Sequence, residues 1–261
     1  MGIATIAICN QKGGVGKTTT CYHLSRAAAR DGARVLALDL DPQGSLTAIL
    51  ARGGAVAADA VTIADVLSPR VYDVALSDVV TPSHWEGVDV APATHRTLAA
   101  VRDELVTTQL GRERRLADAV AQVQGYDLIL IDCAPDLNTL MHNALVAATH
   151  AVVVTAPAFL ASEGLAALLG TIEEIRGYYN PALTLSGVVV NGYDSRRIAH
   201  RERLSELAAS DLPLLEPVIP QRAAIQDATD VGYGLDQWPG GYAFGDLYQQ
   251  LYRAITRGIA S

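Results

Sequence analysis

Lys12 and Lys17 are the only lysines in the chain, and they bracket Gly13, Gly14, Val15 and Gly16, with Thr18 and Thr19 following at once. Glycines at this density let successive backbone N–H groups turn inward as an anion nest. A helix starting at the second lysine would add its N-terminal dipole to that nest. The chemistry such a loop can do is to hold a polyphosphate: Lys17 reaches the β- and γ-phosphates and the Thr18 hydroxyl ligates Mg²⁺. All other members of the 20 basic residues are arginine. A lysine retained in so arginine-biased a chain fits a place where a compact point charge is needed rather than a planar fork.

Three carboxylates stand where they could serve the same chemistry. Asp39 and Asp41 close one apolar run, and Asp132 closes another, 127–131. Side chains alternate along a strand, so Asp39 and Asp41 share a side. Phosphoryl transfer needs a metal and a positioned water more than a strong base. Any one aspartate after a strand reads equally well as a turn or capping residue. It is their joint placement with the loop that favours a functional reading.

The elements that must position these residues follow from the pattern. Apolar runs at 3–9, 34–40, 88–91, 127–131, 151–155 and 185–190 have strand length, and 213–226 holds a further short strand and the start of a helix. Helical patterns cover about 17–30, 62–67, 94–106, 112–123, 162–178, 196–209 and 243–259. Thr62 and Asp65 have capping-box spacing. Uninterrupted apolar strands alternating with helices imply a mostly parallel, twisted sheet covered on both faces, a three-layer α/β/α fold, and the strand–Gly-rich loop–Lys-Thr–helix order at its start is the P-loop NTPase arrangement. Functional residues then gather at the C-terminal strand ends. Residues 53–59 read as a surface loop, and no repeat or linker divides the chain, so 1–261 is expected to be a single ATPase domain.

The loop KGGVGKTT resembles the deviant-Walker form K-G-G-x-G-K-[ST] of the ParA/MinD group, and specifically ParA-type (ParA/Soj) partition ATPases. Asn10-Gln11 before it and Thr18-Thr19-Thr20 within and after it fit that group, as do Leu38–Gly44 (LDLDPQG), 127–133 (DLILIDC), Tyr193-Asp194-Ser195-Arg196 and Val218-Ile219-Pro220. The resemblance implies that Lys12 crosses to the nucleotide of a second subunit in an ATP-bound homodimer, acting like an arginine finger. It implies that Asp41 orients the attacking water, that Thr18, Asp132 and Asp41 serve the Mg²⁺ shell, and that Asp39, Pro42 and Gln43 form a switch. Gly13 to Thr19 would hold ATP, with Asn191 and Pro220 around the adenine. Asn191 before Gly192 also fits an ordinary turn residue. The group usually follows the second motif with Pro-Pro-Ser, whereas this chain has Ala134-Pro135-Asp136.

Residues 196–203, RRIAHRER, are the densest basic stretch in a chain of net charge −8. At helical spacing Arg197 and Arg201 share one face, and Arg196, His200 and Arg203 the next. Arg222, and also Arg253 and Arg257, could extend the patch. The overall acidity excludes a globally basic nucleic-acid binder but not this local one. By resemblance, the patch binds non-specific double-stranded DNA through phosphates, and a ParB-type centromere-binding adaptor stimulates hydrolysis. With no helix-turn-helix before the loop, operator-specific recognition by this chain alone is not expected.

Two readings compete with DNA partition: ParA-like positioning of a protein cargo, and a MinD-like membrane ATPase. The latter needs a C-terminal amphipathic helix. Phe244, Leu247, Leu251 and Ile255 do form a stripe, but it reads as the core face of a docked helix, so no membrane partner is expected. Region 144–170 reads as helix–strand–helix. Cys9, Cys21 and Cys133 fit no metal motif and suit a reducing interior. A cytoplasmic, nucleoid-associated protein is the expectation.

Overall fold

The computed structural model describes residues 3–51, 56–57, 59–71, 73–159, 163–257 and 259. In the loop expected at 53–59, residues 53–55 and 58 lie outside the described residues. The elements run in chain order β1 (Ala4–Cys9), α1 (Lys17–Arg30), β2 (Val35–Leu40), α2 (Ser45–Leu50), α3 (Ile63–Leu67), α4 (Leu76–Val79), β3 (Thr81–Pro82), β4 (Val88–Ala91), α5 (His95–Thr107) and α6 (Arg115–Val120). They continue with β5 (Leu128–Cys133), α7 (Thr139–Ala147), β6 (His150–Thr155), α8 (Glu163–Tyr178), β7 (Thr184–Tyr193), α9 (Ile198–Ala208), β8 (Leu214–Pro220), α10 (Ala223–Asp230) and α11 (Tyr242–Arg257).

The strands form one sheet in the order β3-β4-β2-β5-β1-β6-β7-β8. Every pairing is parallel except that of β3 with β4. Two cores follow from strand alternation. Leu36, Leu38 and Leu40 of β2, with Ile129 and Ile131 of β5, face α5, α7 and α8. Val35 and Ala37, with Leu128 and Leu130, face α1 and α11. The same alternation turns Asp39 and Asp132 toward the α1 side. Both strands are buried along their whole length, as near-continuous apolar runs covered by helices must be.

Most expected elements are present with shifted ends, and Thr62 and Asp65 do make the capping box that starts α3. Helix α6 covers only Arg115–Val120 of the expected 112–123. Helix α2 has no counterpart in the sequence reading, because six residues are too few to show a helical period. Helix α11 docks as expected: Leu251 and Ile255 are buried and Phe244 and Leu247 pack against the α1-side core. Among the described residues no helix is long and apolar enough to cross a membrane.

Candidate functional site

Strand β1 delivers the chain into the loop, and the loop is fastened from both sides. Asn10 is buried; its Nδ2 donates to the Val154 carbonyl at 2.7 Å, and its Oδ1 accepts from the Lys12 N–H at 2.9 Å. At the far end, Gly16 caps α1 with φ 91°. A Cβ there would collide with Nδ2 of Asn191, which donates to the Val15 carbonyl at 2.9 Å. Glycine at 16 is thus required by backbone conformation and by close approach alike. Lys17 is 6% exposed and its Nζ donates to the Lys12 carbonyl at 3.3 Å. Lys12 itself is exposed.

The carboxylates meet this loop through strand register. β5 lies between β2 and β1, so Asp132 is paired with Asp39 on one side and Ile8 on the other. Thr18 Oγ1 donates to Asp132 Oδ2 at 2.7 Å, while Asp132 Oδ1 is buried with no hydrogen-bond partner. Asp39 accepts from the Thr47 N–H and hydroxyl, at 2.8 and 2.7 Å, and from the Asp41 N–H at 3.1 Å. Asp41 Oδ1 in turn accepts from the Gln43 N–H at 2.9 Å, and the Pro42 carbonyl lies 3.0 Å from Nδ1 of His95. Burial pushes the carboxyls of both Asp39 and Asp132 up, and the Asp39 charge pushes Asp132 further; the Thr47 bonds and the Thr18 bond oppose these shifts.

The orphaned Asp132 oxygen beside the Thr18 hydroxyl, with Asp41 lining the same cavity as Thr18, offers oxygen donors of the kind a hard divalent cation takes. Thr18, Asp132 and Asp41 are the residues that could hold Mg²⁺. Two cavities open on the loop. One, of about 440 Å³, is lined by Lys17, Thr18, Asp41, Gln43 and Pro135 among others. The other, of about 470 Å³, is lined by Asn191, Pro220, Gln221 and Arg222. Gly14, Gly16, Thr19 and Gln226 line both.

Residues 3–185 match the AAA domain family. The chain is 38% identical over 239 residues to the chromosome partitioning protein ParA of Caulobacter vibrioides, covering 88% of this chain and 85% of that one. It is 34% identical over 259 residues to the chromosome-partitioning ATPase Soj of Thermus thermophilus, with 97% of each covered. The chain belongs to the ParA/Soj family of P-loop ATPases. A solved structure described as cobyrinic acid a,c-diamide synthase from Mycobacterium smegmatis, with bound ATP analog and magnesium, matches with a TM-score of 0.83. It is 33% identical, and 100% of this chain and 97% of that one are covered.

In this ParA/Soj-type chain the basic segment is not the uniform helix face that spacing predicts. Helix α9 begins only at Ile198, because Asp194 Oδ1 accepts the Arg196 N–H at 3.0 Å and holds the preceding residues in a turn. Arg197 is the N-cap rather than a helical residue. His200, expected beside Arg196 and Arg203, is buried and its Nδ1 accepts the Asp194 N–H at 3.1 Å. Arg196 is ion-paired with Asp194 at 3.0 Å, and Arg203 with Glu206 at 2.7 Å. Arg201 donates to the Ser195 carbonyl at 2.7 Å. Arg222 lines the cavity beside Pro220, and Arg253, paired with Asp31 at 2.9 Å, lines a groove with Arg257 and with Leu204 of α9.

Sequence reasoning gave Asn10 no role, though a polar residue closing an apolar strand before a glycine loop is a candidate anchor. It missed Thr47 because α2 was unread. It also missed Gln226, Thr229 and Asp230, which α10 presents to the phosphate-side cavity.

Proposed function

We propose that the chain is a Mg²⁺-dependent ATPase of weak intrinsic activity that dimerises on ATP and binds non-specific double-stranded DNA in that state. A ParB-type adaptor then stimulates hydrolysis, and the cycle segregates chromosome or plasmid DNA on the nucleoid in the cytoplasm. The observation that carries this is the contrast within one loop: Lys17 is buried against its own loop, whereas Lys12 is exposed. Lys17 serves the nucleotide of its own subunit. Lys12 would serve the nucleotide of a second subunit, completing a composite site in trans. Gly13 to Thr19 cradle the phosphates with backbone N–H groups, and Asn191 and Pro220 flank the adenine. Asp41, fixed by Gln43 and by Asp39 from below, orients the attacking water. When bound by Thr18, Asp132 and Asp41, Mg²⁺ would neutralise charge on the transferring phosphoryl group.

Arg196, Arg197, Arg201, Arg203 and Arg222 supply the phosphate contacts to DNA. Retention on non-specific duplex is expected with ATP and not with ADP, falling linearly with log salt as counterions are released. Replacing Arg196, Arg197 and Arg201 by glutamate should abolish it; unchanged retention would sink the DNA assignment and leave the protein-cargo reading. The relatives named for chromosome partitioning, rather than the amide synthesis in the name of the Mycobacterium smegmatis protein, support this reading.

A further inference from the structure

Strand β4 pairs in parallel with β2, so the loop that leaves β4 lies beside the loop that leaves β2 at the phosphate edge. The two loops meet at three points. The Ala93 N–H donates to Thr47 Oγ1 at 2.9 Å, and the Thr47 hydroxyl in turn donates to Asp39. Gly44, at φ 65°, comes so close that a Cβ there would lie 3.3 Å from the Ala93 carbonyl oxygen. His95, the first residue of α5, reaches across with Nδ1 3.0 Å from the Pro42 carbonyl oxygen. A carbonyl only accepts, so Nδ1 carries the hydrogen and, in the neutral ring, Nε2 does not. His95 lies outside every motif that residue types and spacing single out.

What that bond holds is one peptide unit. Residues 41–44 form a turn, closed by the Gly44 N–H donating to the Asp41 carbonyl at 2.9 Å. Its central peptide joins Pro42 to Gln43. The N–H of that peptide donates to Asp41 Oδ1 at 2.9 Å, and its C=O accepts from His95. Rotation of this peptide alone breaks both bonds at once. The carboxylate it orients belongs to Asp41, which lines the phosphate-side cavity. We propose that His95 is a positioning residue for the hydrolytic step: by donating to the Pro42 carbonyl it sets the Pro42–Gln43 peptide, and that peptide sets the Asp41 carboxylate. This rests on the ATPase reading above and on the role given there to Asp41. Gly13 to Thr19, which would cradle the nucleotide, are not part of the turn, so the effect falls on turnover and not on affinity.

His95 is exposed, so its replacement leaves the core intact. The test compares His95→Ala, His95→Asn and His95→Gln with the unmodified whole chain, by calorimetric binding of ADP with Mg²⁺ and by phosphate release at saturating ATP. The amide nitrogen of asparagine stands as many bonds from the backbone as Nδ1 of histidine, and that of glutamine one bond further out. His95→Ala should lower kcat about tenfold and keep nucleotide affinity within about threefold, the signature of a misplaced group rather than of lost binding. His95→Asn should recover most of the rate, and His95→Gln should not. A residue that merely supported the fold would show neither the split nor the difference between the two amides. Full turnover by His95→Ala, or equal rates in the asparagine and glutamine variants, would overturn the proposal. Absence of Mg²⁺-dependent turnover in the unmodified chain, or turnover indifferent to Asp41→Ala, would overturn the ATPase reading itself. That outcome is distinct, because a failure of His95 alone leaves Asp41→Ala inactive beside an active unmodified chain.

Discussion

At the phosphate edge, Asp39 and Asp132 are 0% exposed and Lys17 is 6% exposed. In the turn before α9, the side chain of Arg196 is 87% exposed. Both regions concentrate charge, but they hold it differently. Buried charges must be paired or ligated, because solvent does not stabilise them. The strands therefore fix Asp39 and Asp132 in register, and Thr47 and Thr18 bind them. Exposed charges find partners locally and weakly, so Arg196 and Arg203 take the nearest acids, Asp194 and Glu206. The phosphate edge is thus committed to one kind of ligand. The basic segment carries exposed ion pairs, the kind that solvent and other anions compete for.

The largest expected effect separates the two lysines. Lys12→Ala should keep nucleotide affinity within about threefold yet lower partner-stimulated turnover about a thousandfold, the scale of a trans-acting cation in phosphoryl transfer. Lys17→Ala should lose about a hundredfold in nucleotide affinity, about 3 kcal/mol for a charge-assisted contact. Calorimetric binding and phosphate release measure the two separately. Full turnover by the Lys12 variant would reduce the loop to an ordinary P-loop and weaken the claim that this edge is shared between subunits.

A second effect tests whether burial makes the phosphate side sensitive to acid. His23 on α1 is buried between the rings of Tyr22 and Tyr248, and its Nε2 lies 2.9 Å from Thr229 Oγ1 on α10. Thr229 donates its own hydrogen to the Ile225 carbonyl at 2.7 Å, so His23 must be the donor, through its Nε2–H. Burial lowers its pKa to about 3 from the ordinary 6.5. Below pH 6.5 the unfolded chain binds the proton that the folded chain refuses. The stability from this group is therefore complete above that value and declines as pH falls toward 3. Between pH 7 and pH 5 the loss is about 2 kcal/mol. His84, His142 and His150 are shifted the same way and add to the slope. His23→Gln keeps a donor without titrating, so urea denaturation at the two pH values should show a difference smaller by about 2 kcal/mol. An unchanged difference would mean that this contact to α10 is not as dry as it looks.

The contrast also explains what could be read from residue order. The loop, Asp39 and Asp132 were legible because each follows a continuous apolar run, and a parallel sheet sends such run-ends to one edge. That Asp132 would stand in register with Asp39 was not legible, since strand order is a tertiary choice. Thr47 and Gln226 escaped because they sit on α2 and α10, short helices with little periodic signal. The basic segment misled most: charge density was plain, but the Asp194 turn that delays α9 and the burial of His200 depend on local bonds that spacing does not encode.

The smallest expected effect falls on Arg196. Asp194 holds its guanidinium in two contacts, at 3.0 and 3.1 Å, and in return Arg196 draws the Asp194 carboxyl down to about 2. The pair is ionised throughout the working range and nearly neutral as a unit. Arg196→Ala alone should lower retention on non-specific duplex only about twofold and flatten the salt slope by less than one phosphate contact, because Asp194 partly matched the lost cation. Asp194→Asn should do more than Arg196→Ala and in the opposite sense. It keeps an oxygen to accept the Arg196 N–H, removes the matching charge, and frees the arginine for phosphate. Retention should rise about threefold and the salt slope steepen by about one phosphate contact. A tenfold loss from Arg196→Ala, or no gain from Asp194→Asn, would show that Arg196 is held for one partner as firmly as Lys17 is held for its own.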